Sequence, residues 1–576
     1  MSGAASNKNN FYTDNRKFYL SQIDLADIVK DLENNYTDSG STAIHSYEEA
    51  QQWYDMSLKN AGDICANFIW PRAEAVDAKG ATFKDGVVEW ASETKENMKA
   101  LGAAGYMGGT LPRKYGGLNM PVTVNVVIIE MVSQGDASLM NLFGLQDIAV
   151  TVYKFGNEEQ KDRVLPKFCS GEVSGSMALT EPEAGSDLQA VTLKAIEKDG
   201  QWYLDGVKRF ITNGSGDVSL VLARSEEGSK GGRGLSMFLY ERYRDSNMIV
   251  RRIEHKLGIN GSPTCELQFN MGKAELVGQR KVGLIKYVMS LMNGARLTVS
   301  AQALGIAQAS FDEAVKYANE REQFGRKIIH FPAVYQMLKK MQAEIETSRL
   351  LLYHTSLAVD YQDMYERKEH NGENVKAQLK EAKVLADFLT PLSKFTIAEL
   401  ANKASYDAIQ IHGGTGYMKD FPVERLYRDA RITNIYEGTT QLQVVAAIGT
   451  LTSGLFFKWM EKAKELPVAE LADAKRELLA HITHLDEVLE RVKKVQNKDF
   501  LDYVAGYLVE MASIIYRQYL FLPVAEKHPE KRDLFKFFRT ESDARLDYLI
   551  RQCDLAIHTY GENISDLKND LLKKHE

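Results

Sequence analysis

The chain has 576 residues and a formal net charge of -7, too long for one ordinary domain, with a composition that excludes fibrous and disordered chains. The acidic balance speaks against a nucleic-acid or anionic-membrane surface, which needs a basic field. Its four scattered cysteines, Cys65, Cys169, Cys265 and Cys553, form no CxxC pair and have no histidine at metal-ligand spacing, so reduced thiols are expected rather than a disulfide framework or a metal centre.

The N-terminus, MSGAASNKNNFYTDN, is polar and lacks the apolar core of a secretory signal. No run approaches the ~20 apolar residues of a spanning helix, and a cytoplasmic location is expected. Residues 1–46 read as a polar N-terminal extension with a loop at Asp38–Thr42. Residues 47–172 read as a helical domain: Ala61, Ile64, Phe68 and Ile69, then Val124, Val127, Ile128 and Met131, recur at helical spacing around a turn at Pro112–Gly117. Residues 173–280 change character. Asp199-Gly200 marks a hairpin between Thr192–Lys198 and Gln201–Leu204, and Val218–Ala223 and Leu235–Tyr240 are strand-length apolar runs, so this segment predicts a small antiparallel β domain.

Helix returns over residues 281–449, where Leu284, Val288, Leu291, Ala295, Val299, Ile306 and Val315 trace one long amphipathic helix. Pro332–Asp360 and Val375–Ala404 follow, giving a four-helix domain. In residues 450–576, Leu471, Leu478, Ile482, Leu485, Leu489 and Val492 repeat near 3.5 residues, the spacing of a coiled-coil-like seam, and Asp499–Leu522 and Asp543–Tyr560 also read as helices. The predicted fold is α+β and mainly α: an N-terminal helical domain, a central antiparallel β domain, a C-terminal helical bundle and an extra C-terminal helical extension.

Four short segments carry candidate chemistry, and each alone reads as a turn. Met177–Asp187 (MALTEPEAGSD) leaves the first β segment, and Phe210–Gly214 (FITNG) ends a strand. In Gln410–Tyr417 (QIHGGTGY), the glycines let backbone amides approach a ligand closely, as pyrophosphate binding requires. It is not the GxGxxG fingerprint of nicotinamide dinucleotide binding. In Tyr436–Gln441 (YEGTTQ), Glu437 precedes a glycine in a loop entering a helix.

Together, with KLGINGSPT (Lys256–Thr264), ANEREQFGRKIIHF (Ala318–Phe331) and RITNIYEGTTQLQ (Arg431–Gln443), these segments resemble the acyl-CoA dehydrogenase family over residues 50–450, in an extended bacterial branch with an added C-terminal helical domain. The resemblance implies FAD as cofactor, with Met177, Leu179, Thr180, Phe210, Ile211 and Thr212 at the isoalloxazine and Ser186 between flavin and CoA. It implies that Arg321, Phe324, Gln410, Gly413 and Gly414 reach the FAD of a neighbouring subunit, and that Thr439 and Gln441 touch its adenosine side. Asn293, Arg296, Tyr436 and Gly438 fall at the acyl-CoA site, and Arg428 at a structural position. Glu437 matches the base that takes the α-proton while the β-hydride goes to the flavin, leaving a trans-2-enoyl-CoA.

Three positions depart from the family pattern. Phe210 stands where many members carry Trp, and Pro332 where a Gln often lies near FAD. Ala295 stands where the isovaleryl branch carries its catalytic carboxylate. The resemblance also implies an electron-transfer flavoprotein as electron acceptor and a homodimer, the extension covering the surface a second dimer would use. A role for the extension at a membrane is the competing expectation. Two other readings share the core. One is an acyl-CoA oxidase-like flavoenzyme. The other is a DNA-associated alkylation-response flavoprotein, against which the mixed charges at Glu461, Lys462, Lys464 and Glu465 count.

Overall fold

The structure is a computed structural model describing residues 9–40, 42–561 and 563–573. Met1–Lys8, the start of the polar N-terminus, and Ser41 of the expected loop lie outside the described residues. The extension holds more order than its polarity predicts. Helices Asp14–Leu20 and Ala26–Leu32 bury Arg16, Tyr19, Ile28 and Val29. Tyr47–Ile64 begins at Ser46, whose side chain caps the Glu49 amide. Val122–Gly135 is buried on nearly every face because the Met289–Glu320 and Pro332–His370 helices pack on it.

The central domain is one seven-stranded sheet. Its path runs Gly175–Ala178, Val218–Arg224, Lys194–Lys198, Gln201–Thr212, Thr264–Leu276, Leu235–Glu241, with Met248–Ile253 added on Thr264–Leu276. A further pairing of Val218–Arg224 with Leu235–Glu241 closes this path on itself. The hairpin at Asp199-Gly200 forms as the sequence predicts, with φ of 51° and 78° at the two turn residues and Lys198 opposite Gln201. The antiparallel expectation needs one refinement: Gly175–Ala178 pairs with Val218–Arg224 in parallel, and Lys194 with Arg224 likewise. The chain enters the sheet from the preceding helical domain, not from a hairpin, so no tight turn forces that edge antiparallel.

The bundle comprises Met289–Glu320, Pro332–His370, Lys376–His412 and Thr440–Thr452, each longer than or offset from its periodic core in sequence. Pro332 sits at the first helical turn, where a missing N–H costs nothing. In the extension, Leu478, Leu485, Leu489 and Val492 of Ala472–Lys494 are buried against Lys498–Lys527 and Arg532–Tyr560. Lys498–Lys527 in turn packs on Pro332–His370 and Thr440–Thr452. Among the described residues no single helix is long and apolar enough to cross a membrane. The sharply bent pair Thr440–Thr452 and Leu455–Glu465 would qualify only by length and composition.

Candidate active site

Glu437 lies between a short 3-10 turn, Arg431–Asn434, and the helix Thr440–Thr452, whose first turn is capped by the Thr439 hydroxyl. The loop reverses through left-handed backbone at both Glu437 (φ 54°) and Gly438 (φ 89°). Only glycine adopts such angles freely, so a glutamate there is held by its surroundings. The holders are two side chains. Gln443 Nε2 donates to the carbonyls of Glu437 (3.2 Å) and Gly438 (2.8 Å), and Lys394 Nζ donates to the Gly438 carbonyl at 2.8 Å.

Burial pushes the Glu437 carboxyl up to about 7, partly offset by the positive charges of Lys394 and Arg296. Lys394, itself buried, is pushed down to about 8 by desolvation, with Glu437 and Glu399 opposing. Arg296 Nη1 donates to Asn293 Oδ1 at 3.3 Å, and Asn293 donates to Asp387 at 2.9 Å. Arg296 Nε is buried without a hydrogen-bond partner among the described residues. Beside Glu437, the Tyr436 hydroxyl donates to Asn141 at 3.1 Å and to Gln302, which turns its ring inward.

The β-domain residues come together as one surface. Lys208 Nζ, fully buried, donates to Leu179 O (2.8 Å) and pairs with Glu181 (2.9 Å). The Arg209 amide donates to Thr180 O at 2.9 Å, and Asn213 Nδ2 to Gly175 O at 2.9 Å. These bonds seat Met177, Leu179 and Thr180 beside the strand end holding Phe210, Ile211 and Thr212. The register of Gln201–Thr212 against Thr264–Leu276 slips between Lys208 and Ile211, where Phe210 takes φ 61°. Such a bulge re-aims a side chain, and the Phe210 ring is 51% exposed although its neighbour Ile211 is buried. Ser186 is exposed on the Glu181–Asp187 turn, next to a cleft of about 430 Å³ between Asp187–Thr192 and the Ser229–Gly231 turn.

The remaining predicted cofactor residues form a second exposed group. Arg321 and Phe324 lie on the small hairpin Glu322–Gln323/Arg326–Lys327, with Phe324 at φ 52° and 93% exposed. Gln410, Gly413 and Gly414 end the Lys376–His412 helix and are exposed. Tyr317 ties the two together, stacking on His412 (4.2 Å) and accepting from Thr415 at 3.0 Å. Gln410 stands sixteen residues beyond Lys394 on one helix, about 24 Å at 1.5 Å per residue. Within one chain this group is therefore remote from Glu437, whereas Thr439 and the exposed Gln441 sit beside it.

Arg428 is spent on Asp77 (2.6 Å) and Glu424 (2.7 Å), in keeping with a structural position. Sequence reasoning passed over Lys394, Gln443, Asn141 and Gln302. A lysine inside a wholly buried stretch of helix is a weak signal of a special role, and the amides carry none without their partners.

Both surfaces suit a flat, doubly anionic cofactor. Phe210 and Phe324 expose rings from strained backbone, Gly413 and Gly414 have open space where a Cβ would stand, and His412 Nε2 beside them is buried and unpaired among the described residues. Residues 52–172, 176–271 and 285–448 match the N-terminal, middle and C-terminal domains of acyl-CoA dehydrogenases, and residues 452–536 match a further acyl-CoA dehydrogenase C-terminal domain. An acyl-CoA dehydrogenase of Bacillus subtilis is 37% identical over 60% of this chain and 86% of its own. The 3-methylmercaptopropionyl-CoA dehydrogenase of Ruegeria pomeroyi is 33% identical over 68% and 69%.

Among solved structures, butyryl-CoA dehydrogenase of Megasphaera elsdenii superposes with a TM-score of 0.59 at 30% identity, covering 69% of this chain and 97% of that one. An FAD-complexed acyl-CoA dehydrogenase of Bacillus anthracis, at 23% identity, covers 92% of both chains with a TM-score of 0.76, so the fold including the extension has a counterpart. The fold and site define a flavoprotein oxidoreductase. The chain belongs to the acyl-CoA dehydrogenase family.

Proposed function

We propose that this protein oxidises an acyl-CoA thioester to the trans-2-enoyl-CoA, with Glu437 as the base and an electron-transfer flavoprotein as acceptor. FAD, when bound, supplies the hydride acceptor. Met177, Leu179, Thr180, Phe210, Ile211 and Thr212 would hold its ring, and Thr439 and Gln441 its adenosine side. Arg321, Phe324, Gln410, Gly413 and Gly414 of a second copy would complete the site. Ser186, with the cleft beside it, would take the CoA, while Asn293, Arg296, Tyr436 and Gly438 frame the acyl end.

The observation that carries this reading is Glu437, held buried in left-handed backbone and facing Arg296 and Lys394. A base whose carboxyl is pushed up to about 7 is matched to abstracting a weakly acidic α-proton near neutral pH. The four buried, unpaired cysteines fit a reducing compartment, the cytoplasm. Replacing Glu437 with Gln keeps its size and removes the basic oxygen, and a positioned general base contributes about 10²–10⁴-fold. Glu437→Gln should therefore lose at least about a hundredfold in turnover on an acyl-CoA panel with an artificial electron acceptor, while still binding FAD. Adding Ala295→Glu should recover part of the rate. Near-normal turnover of Glu437→Gln would overturn the base assignment, and fast oxygen consumption by the wild-type protein would replace the electron-transfer flavoprotein with oxygen.

A further inference from the structure

Lys394 stands midway along the Lys376–His412 helix, in a stretch where Phe388 through Ser393 are all buried. Its own side chain is fully buried, yet it makes no salt bridge with any carboxylate among the described residues. Among the described residues its one hydrogen bond is to the Gly438 carbonyl. Burying an ammonium group is costly, and a hydrophobic residue of similar length would fill the same space without that cost. Packing therefore does not explain a lysine here. What faces it does: Glu437 and Glu399 on the acidic side, with Arg296 as the other cation. Glu437 in turn faces Lys394, Arg296 and the hydroxyl-bearing Tyr436, and Arg296 is shared with Asp387.

We propose that Lys394 is a positioning residue for the base: anchored on the Gly438 carbonyl, its ammonium group holds the Glu437 turn in left-handed backbone and keeps the carboxylate ionised until substrate delivers its α-proton. The inference rests on Glu437 being the base. Gln443 shares the mechanical task, since it bonds the Gly438 carbonyl and that of Glu437 as well, but it carries no charge. The electrostatic task belongs to Lys394 and Arg296, and of the two only Lys394 also grips the loop. Below the point at which Lys394 gives up its proton, pushed down to about 8, a cation stands behind the carboxylate. Removing that cation raises the carboxyl further, because an opposite charge within reach favours the ionised form.

The test is the pH profile of kcat/KM for four variants of the FAD-loaded enzyme. Lys394→Met and Lys394→Gln, the second of which keeps a donor for Gly438, should both move the acidic limb up by about one pH unit or more. That is at least about a fivefold loss at pH 7, mostly regained by pH 9. Lys394→Arg should restore the limb. Gln443→Leu should lower the rate at every pH and leave the limb in place.

A second readout needs no turnover. The change in thermal midpoint on Lys394→Met should be more unfavourable with Glu437 present than in a Glu437→Gln background, because the attraction exists only in the first. Lys394 variants that lose rate equally at all pH values, with no coupling to Glu437, would reduce Lys394 to a loop anchor and overturn the proposal. An active Glu437→Gln enzyme would instead overturn the base assignment itself, so the two failures are told apart.

Discussion

Glu437, Phe210 and Phe324 occupy left-handed backbone at φ 54°, 61° and 52°, a cost of roughly 1–3 kcal/mol each that persists only where the surroundings impose it. For Glu437 the cost continues in its titration. Burial raises its folded carboxyl from the ordinary 4.5 to about 7, so across that window the folded protein binds more protons than the unfolded chain. Stability contributed by the neutral carboxyl is therefore lost as pH rises from about 4.5 to about 7. Glu437→Gln mimics the neutral form. Its thermal midpoint at matched FAD saturation should exceed that of the wild type at pH 8, and the difference should close toward pH 5. A variant less stable than wild type at pH 8 would contradict this. The sequence made Glu437 legible because its motif does, but the strain and the facing cations were invisible: neither a positive φ at a glutamate nor a lysine forty-three residues before that glutamate is written in local sequence pattern.

At the scale of elements, the periodic segments were legible because each buries one face at a fixed spacing. The seam of Ala472–Lys494 met its expected kind of partner inside the same chain. The N-terminal helices were not legible because their anchors are polar. Arg16 and Arg349 both pair with Glu130, at 2.9 and 2.7 Å, with all three side chains essentially inaccessible. Tyr19 donates to Glu346 at 2.5 Å, and Lys531 of the extension pairs with the same carboxylate at 2.7 Å. One core helix, Pro332–His370, thus binds both appended segments. The two arginines hold the Glu130 carboxyl down to about 2 against a burial penalty, so its contribution is present above about 4.5 and lost as pH falls toward 2. Glu130→Gln leaves two buried guanidinium groups without their counter-charge. It should cost about 3–5 kcal/mol, read by chemical denaturation at pH 7, and should detach the N-terminal helices first, read by proteolysis before Tyr47. A loss under ~1 kcal/mol, typical of an exposed pair, would show that the cluster is solvated.

At the scale of the whole molecule, the residues proposed to hold the cofactor fall into two separate groups. The Glu437 loop is held by Lys394, and Gln410 lies about 24 Å further along the Lys376–His412 helix, with Gly413 and Gly414 just past its end. That second group stands in an apolar surface where Phe324 is 93%, Tyr417 79% and Met418 52% exposed. Exposed apolar groups of this kind mark interaction sites, and in a twofold dimer a contact of this group with the Glu437 and β-domain side of the other copy is made twice. Such a pairing would complete both proposed cofactor sites at once, and the extension buries its own seam within the chain. Light scattering should therefore give twice 64.8 kDa. A tetramer mass would overturn the dimer and leave the shared cofactor site standing. Phe324→Asp places a charge at the centre of the patch, where hot-spot losses reach about 2 kcal/mol or more, about thirtyfold in affinity. It should yield monomers that have lost their flavin absorbance while the β-domain strands, and hence the far-ultraviolet spectrum, are unchanged. A Phe324→Asp protein that stays dimeric and fully yellow would show that the hairpin neither joins the copies nor reaches the cofactor, and the second half-site would then belong to the surface alone.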